Sequence, residues 1–225
     1  EATEADEGQI SETVEGSITP APLHIKIYDQ ESVYDGNRPE VENVKELNWE
    51  VDSGEIYQLV NGSDDDLQVV LSIEEENAKD VDVYTIKGVA GNENYKVEFT
   101  NGKFTVKARY VEVIIEDYTG VYGDIPDKDR VSLTAAQPSD ENSGMVGEES
   151  TELFRERLSI EADETSSIGE YDIVGINGIC GNYDVEFTEG KYSIERRPVT
   201  ITIDDKQSCY GCKIEDLTYS DSYTD

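Results

Sequence analysis

Residues recur in this chain at a spacing of 88, and no other feature of the sequence restricts its fold as strongly. Pro22-Leu23-His24-Ile25-Lys26-Ile27 aligns with Tyr110-Val111-Glu112-Val113-Ile114-Ile115, which begins 88 residues later, and again with Pro198-Val199-Thr200-Ile201-Thr202-Ile203 after a further 88. The same spacing carries Asp29 to Asp117 and Asp205, and Val33-Tyr34 to Val121-Tyr122 and Cys209-Tyr210. Far downstream it returns: Tyr95-Lys96-Val97-Glu98-Phe99-Thr100-Asn101-Gly102-Lys103-Phe104 matches Tyr183-Asp184-Val185-Glu186-Phe187-Thr188-Glu189-Gly190-Lys191-Tyr192. Between these anchors Leu71-Ser72-Ile73-Glu74 pairs with Leu158-Ser159-Ile160-Glu161 at a spacing of 87, so one residue is gained before Gly181. The implied organisation is the tail of a preceding repeat or a linker over 1–21, one repeat over 22–109, a second over 110–197, and the start of a truncated third over 198–225. With no initiator Met and an incomplete third copy, the chain is expected to be a piece of a longer array.

Within a repeat the apolar pattern is that of strands. Leu23, Ile25 and Ile27 alternate with His24 and Lys26, a period of two that gives one buried and one wet face. Leu47 to Val51, Leu67 to Ile73 and Val81 to Ile86 are rich in β-formers. Two short strands, 95–99 and 103–106, flank Thr100-Asn101-Gly102, and an Asn-Gly step between alternating strands predicts a hairpin because both residues tolerate positive φ. Glu189-Gly190 keeps the glycine in the second repeat. About six strands per repeat follow, with one stretch, 151–158, able to form a turn or two of helix. The fold class is all-β: two tandem domains of about 88 residues, favoured as immunoglobulin-like sandwiches, with a β-grasp-like sheet carrying one short helix as the alternative. Only Lys107-Ala108-Arg109 or Glu195-Arg196-Arg197 separates one repeat from the next, so an elongated array is expected, on the order of 80 Å for two units at a strand rise of about 3.3 Å per residue.

The strand followed by Val-Tyr-Asp-Gly (33–36) or Val-Tyr-Gly-Asp (121–124), then Gly169-Glu170-Tyr171-Asp172-Ile173, then the run 181–194, resembles the MBG/YDG-type repeats of bacterial surface proteins. The resemblance extends over nearly the whole chain. It departs from the pattern at Asp82, where a glycine is expected before Val83-Tyr84, and at Cys212 after Tyr210-Gly211. It implies an architecture of tandem repeats in large secreted or wall-anchored adhesin-like proteins, and it carries over no catalytic residue.

Charge supplies the exclusions. With 18 basic and 52 acidic residues the formal charge is −34. A surface this acidic repels phosphate backbones and anionic headgroups over a Debye length of about 8 Å, which argues against nucleic acid and against a membrane surface as partner. No run of about 18 apolar residues is present to span a bilayer, and Glu1 to Glu7 lack the features of a signal peptide. High charge with low hydropathy is also a signature of disorder, but the repeat register of apolar, aromatic and glycine positions outweighs it.

Individual chemistry-bearing residues are weighed against their structural roles. His24 is the sole histidine and aligns with Glu112 and Thr200, so it reads as an exposed strand residue. Nucleophile elbows, phosphate loops and zinc-protease motifs are missing from the sequence, which argues against an enzyme. The acidic runs 64–66 and 74–76 read as solvated faces, and a weak Ca²⁺ site is the sharper alternative, with Asp124, Asp127 and Asp129 as its candidate ligands. Otherwise no cofactor is expected. Cys209 and Cys212 have redox-like spacing without a helix N-terminus to lower a thiol pKa. An extracellular disulfide is favoured, either between these two or from one of them to Cys180. Tyr34, Tyr122 and Tyr210 recur at one repeat position, and with Tyr95, Tyr183, Gly102 and Gly190 they mark the repeat; the tyrosines and Trp49 read as core rather than as a sugar platform. The expected function is a non-enzymatic stalk or spacer of an extracellular bacterial surface or secreted protein, monomeric, contacting neighbouring repeats of its own chain. The alternatives are repeats that themselves bind host mucin, glycan or matrix protein, and an accessory module of a larger extracellular enzyme.

Overall fold

The computed structural model describes residues 16–52, 59 and 66–223. The acidic N-terminus, Asp64 and Asp65 lie outside the described residues. The first repeat contributes β1 (Ala21–Ile27), β2 (Gln30–Val33), β3 (Trp49–Val51), β4 (Val69–Ile73), β5 (Val83–Ala90), β6 (Tyr95–Thr100) and β7 (Gly102–Lys107). The second contributes β8 (Arg109–Ile115), β9 (Tyr118–Val121), β10 (Leu133–Ala135), β11 (Leu158–Ile160), β12 (Gly169–Gly175), β13 (Gly178–Cys180), β14 (Tyr183–Thr188) and β15 (Gly190–Glu195). A final pair, β16 (Val199–Ile203) and β17 (Tyr219–Tyr223), follows. The fold is all-β. The helical expectation near Leu153 is met by a 3-10 helix over Thr151–Arg157, which turns Phe154 into the core and leaves Leu153 exposed.

Each repeat has two sheets. They run β3-β1-β6 and β2-β7-β5-β4 in the first, and β10-β8-β14-β13 and β11-β12-β15-β9 in the second. The alternation read from the sequence is realised directly: Leu23, Ile25 and Ile27 are buried, as are Val111, Val113 and Ile115. Around them pack Trp49, Leu71, Ile73, Ile86 and Phe104 in the first repeat, and Val131, Leu158, Ile173, Val185 and Tyr192 in the second. Each fully buried aliphatic side chain contributes about 1.5–3 kcal/mol of transfer free energy, so the two inner rows alone justify the sheet register.

Strands from the start of a repeat pair in parallel with strands near its end. β1 lies beside β6 with Ala21 opposite Tyr95 and Lys26 opposite Thr100. β8 lies beside β14 with Arg109 opposite Tyr183, and β9 beside β15 with Tyr118 opposite Tyr192. These parallel pairs distinguish the arrangement from a purely antiparallel sandwich, and they overturn the expected hairpin. β6 and β7 sit in different sheets, so Thr100-Asn101-Gly102 is a bend at which the chain passes from one sheet to the other, the way corners are made in sandwiches whose strands switch sheets.

Gly102 and Gly190 are needed at this bend for space and not for positive φ, since neither adopts it. A Cβ on Gly102 would lie 2.6 Å from the Tyr28 carbonyl oxygen, and one on Gly190 would lie 2.6 Å from the Ile115 carbonyl oxygen. The ladder interrupted at the bend is repaired by a side chain. The Lys103 N–H donates to Asp29 Oδ1 at 2.8 Å, and the Lys191 N–H donates to Asp117 Oδ1 at 2.8 Å. This explains the recurrence of aspartate at the two positions.

Two compact units divide the chain: Glu1–Gln30 with Glu40–Ala78 and Val83–Thr105, and Glu31–Pro39 with Lys79–Asp82 and Val106–Asp225. The sequence repeats and the compact units therefore differ in their borders. Residues 31–39 and 79–82, which the repeat alignment places in the first copy, fold with the second unit.

Candidate functional site

A polar cluster of the second unit forms where segment 31–39 meets the second repeat. Tyr34 directly follows strand β2 and leads into a turn through Gly36 at φ 80°. Its ring meets that of Tyr183 edge-on at 5.8 Å, and Tyr183 in turn meets Phe154 at 5.6 Å. The Tyr34 hydroxyl donates to Glu149 Oε1 at 2.8 Å, the Tyr183 hydroxyl donates to Glu149 Oε2, and the Val146 N–H donates to the Tyr183 hydroxyl at 3.0 Å. Burial, and then the bond to Glu149, push both tyrosine pKa values up, further at Tyr183 than at Tyr34. Both phenols therefore stay protonated at neutral pH and serve as donors, not as bases or nucleophiles.

Arg109 completes the cluster. Its Nε donates to the Gly144 carbonyl at 2.9 Å, its Nη2 to the carbonyls of Glu141 and Ser143 at 2.8 Å each, and its Nη1 to the Tyr34 carbonyl at 3.4 Å. The planar guanidinium suits this multiple capture of backbone oxygens. Beside it opens a groove of about 550 Å³ lined in part by Glu31, Asp35, Lys107 and Glu141, where Lys107 pairs with Glu31 at 2.5 Å. Neither Arg109 nor Glu149 was singled out from the sequence. For Arg109 a signal exists, because Arg197 stands 88 residues on and donates through Nε to the Tyr122 carbonyl at 2.7 Å.

Residues selected from the sequence take up several distinct roles. Asp124, Asp127 and Asp129 are not gathered around a common point: Asp124 pairs with Arg197, while Asp127 caps the 3-10 turn Lys128–Arg130 by accepting the Asp129 N–H at 2.9 Å. Among the described residues no group of three or more His, Cys, Asp or Glu side chains is placed to hold a metal ion. Cys209 and Cys212 form a disulfide with Cα atoms 5.3 Å apart, and half-buried Cys180 is a free thiol on β13. His24 sits on the polar side of β1, with Nε2 3.0 Å from Thr100 Oγ1 and Nδ1 3.4 Å from Asp52. Its counterpart Glu112 makes the equivalent contact, accepting from Thr188 at 3.2 Å.

The tyrosine markers divide. Tyr34, Tyr95 and Tyr183 are core residues, as is Trp49, but Tyr122 is half exposed and Tyr210 fully exposed. The expectation of a uniformly buried tyrosine is thus corrected. What buries Tyr34 is Glu149 and Tyr183, supplied by a later part of the chain, and Tyr122 and Tyr210 have no such cover among the described residues.

No helix among the described residues is long and apolar enough to cross a membrane. No curated protein and no solved structure matches the chain. A family model does: the MBG domain (YGX type) matches residues 111–193. This is a non-catalytic repeat family typical of surface and extracellular proteins. The match falls on the second repeat, which carries Tyr122-Gly123-Asp124, whereas the first carries Tyr34-Asp35-Gly36 at that place. In both, and at Gly211, a left-handed glycine follows the tyrosine, with φ of 80°, 89° and 82° at Gly36, Gly123 and Gly211. Over residues 111–193 this all-β chain is similar to the MBG domain family, YGX type.

Proposed function

We propose that the chain is a non-enzymatic spacer segment of a bacterial surface or secreted adhesin-like protein, which holds a distal binding region away from the cell. The observation that carries this reading is the use of this polar cluster for joining successive sequence repeats. Tyr34 of the first sequence repeat and Tyr183 of the second share the single carboxylate of Glu149, and Arg109 is spent on backbone carbonyls. The tyrosines are held protonated and the guanidinium makes four hydrogen bonds to backbone carbonyls, so the cluster offers packing rather than reactivity. The excess of carboxylates keeps the surface solvated and self-repelling, which favours a soluble monomer.

The test is a screen of the 225-residue chain against mucins, glycans and matrix proteins, with and without Ca²⁺. The spacer reading expects no specific binding. Micromolar binding that is lost in Tyr122→Ala or Tyr210→Ala would replace it with a ligand-binding role for the repeats. Calorimetry with Ca²⁺ is expected to give no specific heat at millimolar ion, and a saturable isotherm would reinstate the acidic loops as a cation site.

A further inference from the structure

The bend at Thr100-Asn101-Gly102 carries an asparagine that the bend itself does not require. Gly102 is there for space, and the second repeat turns the same corner with Glu189 before its glycine. Asn101 is exposed, and so is Glu189, so exposure belongs to the bend in both copies and not to either end of the chain. Among the described residues no hydrogen bond engages the Asn101 side chain. Its neighbour Gly102 stands at the last pair of the β5–β7 ladder, opposite Ile86. Release of the Gly102 nitrogen therefore takes the opening of one terminal pair and not of the whole strand.

A second Asn-Gly step, Asn177-Gly178, supplies the contrast. Asn177 is exposed as well, but its Oδ1 accepts the Phe187 N–H at 2.9 Å. Arg157 holds the backbone around it, with Nη1 donating to the Ile176 carbonyl at 2.6 Å and to those of Asn177 and Gly178 at 3.3 Å each. Bringing the Asn177 side-chain carbon onto the Gly178 nitrogen breaks the bond to Phe187 and disturbs those to Arg157. No such set of contacts holds Asn101. The movement matters because the nitrogen after an asparagine can attack its side-chain Cγ, and a glycine there has no Cβ to obstruct the approach.

We propose that Asn101-Gly102 is a self-modification site, at which the folded chain converts asparagine to aspartyl and isoaspartyl forms with loss of ammonia. The Gly102 nitrogen gives its proton to solvent base and bonds to Asn101 Cγ; the Cγ–Nδ2 bond breaks, and Nδ2 leaves as ammonia. Water then opens the cyclic imide. Addition at Cγ leaves an aspartate at 101 with the backbone unchanged, while addition at the backbone carbonyl carbon routes the chain through Cγ and lengthens it by one atom. No electron is transferred in either step. The aspartyl product places a carboxylate where the second repeat has Glu189. The isoaspartyl product adds a backbone atom where even a Cβ on Gly102 would lie 2.6 Å from the Tyr28 carbonyl oxygen, beside the bond from the Lys103 N–H to Asp29. Both products add one negative charge, and the isoaspartyl form loosens the bend. The site does not depend on whether the repeats act as a spacer or bind a ligand.

The test incubates the 225-residue chain in mildly alkaline buffer, native and in urea. Conversion at 101 and 177 is followed by peptide mapping with mass spectrometry, and the isoaspartyl form is labelled by an isoaspartyl methyltransferase. In the native chain Asn101 is expected to convert about tenfold faster than Asn177 or more. In urea, where Phe187 and Arg157 no longer hold Asn177, the two rates should converge. Asn101→Gln, whose amide carbon sits one atom further out, should remove conversion at 101 and leave 177 unchanged. The isoaspartyl fraction should show faster exchange of the Lys103 amide. Equal or slower conversion of Asn101 in the native chain would overturn the site. A gap that persists in urea would place the difference in the flanking residues and overturn its structural basis, and unchanged Lys103 exchange would overturn the loosening of the bend.

Discussion

Tyr192→Phe should stabilise the second repeat, an outcome opposite to the usual cost of altering a buried residue. Tyr192 is fully buried on β15, stacked on Tyr118 at 5.0 Å, and its hydroxyl has no hydrogen-bond partner among the described residues. An unsatisfied buried polar group costs about 1–3 kcal/mol, and removing only the oxygen leaves the ring packing intact. The hydroxyl is tolerated because Gly120 has no side chain: a Cβ there would lie 2.2 Å from Tyr192 Oη. Repeat one supplies the natural counter-example, since the equivalent residues are Ser32 and Phe104, a side chain on one strand and no hydroxyl on the other. Gly120→Ser alone should therefore destabilise by about 1–3 kcal/mol through overpacking. Combined with Tyr192→Phe it should cost at least about 1 kcal/mol less than the sum of the single changes, as contacting residues do in a double-mutant cycle.

Urea unfolding reads these differences as midpoint shifts at constant slope, and in a domain of this size each kcal/mol moves a thermal midpoint by about 4–8 °C. Burial, followed by the neighbouring Tyr118, raises the Tyr192 pKa. The unfolded chain ionises near pH 10 while the folded phenol resists ionisation, so stability falls as the pH rises from 10 through the elevated value, and the Phe variant should lose less stability in alkali. Destabilisation by Tyr192→Phe, or strict additivity with Gly120→Ser, would refute the reasoning.

The remaining predictions address the bend and the polar contacts. Gly190→Ala should destabilise by about 1–3 kcal/mol because its Cβ meets a backbone carbonyl that cannot yield, while Glu189→Ala should be nearly neutral; a loss at both positions would favour a hairpin turn instead. Asp117→Ala should cost about 1 kcal/mol, since the Lys191 N–H loses its acceptor, and it should speed exchange of that amide; unchanged exchange there would remove aspartate from its repair role. Glu149→Leu leaves the Tyr34 and Tyr183 hydroxyls without their acceptor and should cost about 2–3 kcal/mol in urea unfolding; a neutral result would show that the cluster contributes packing alone. The bond to Glu186 holds the Tyr110 phenol up to about 12. That support is complete below pH 10 and lost as pH rises toward 12, so a late-ionising tyrosine in an ultraviolet titration should return toward 10 in Glu186→Gln.

Much of the strand content could be read directly because burial on a two-residue period leaves a trace in every copy. Leu23, Ile25 and Ile27 and their counterparts are legible in this way, and so is the segment around Phe154, whose local pattern departs from strand. The polar cluster was legible only in part. Tyr34 and Tyr183 stood out by repetition, but Glu149 lies 115 residues from Tyr34 and carries no mark that separates it from the other acids. Asp124 illustrates the same limit: its neighbours Asp127 and Asp129 suggested a cation site, while its partner is Arg197, 73 residues away.

The sequence by itself determined the repeat length, the inner-facing rows and the all-β class, since these follow from periodicity and from the apolar transfer free energy that periodicity serves. Tertiary structure decided the meaning of residues that satisfy more than one requirement. A glycine after asparagine meets a demand for positive φ or a demand for space, and only the approach of the Tyr28 carbonyl shows that Gly102 meets the second. Likewise Tyr34 and Tyr122 share a local sequence position but differ in exposure, because burial belongs to whatever packs against a side chain and not to the side chain itself.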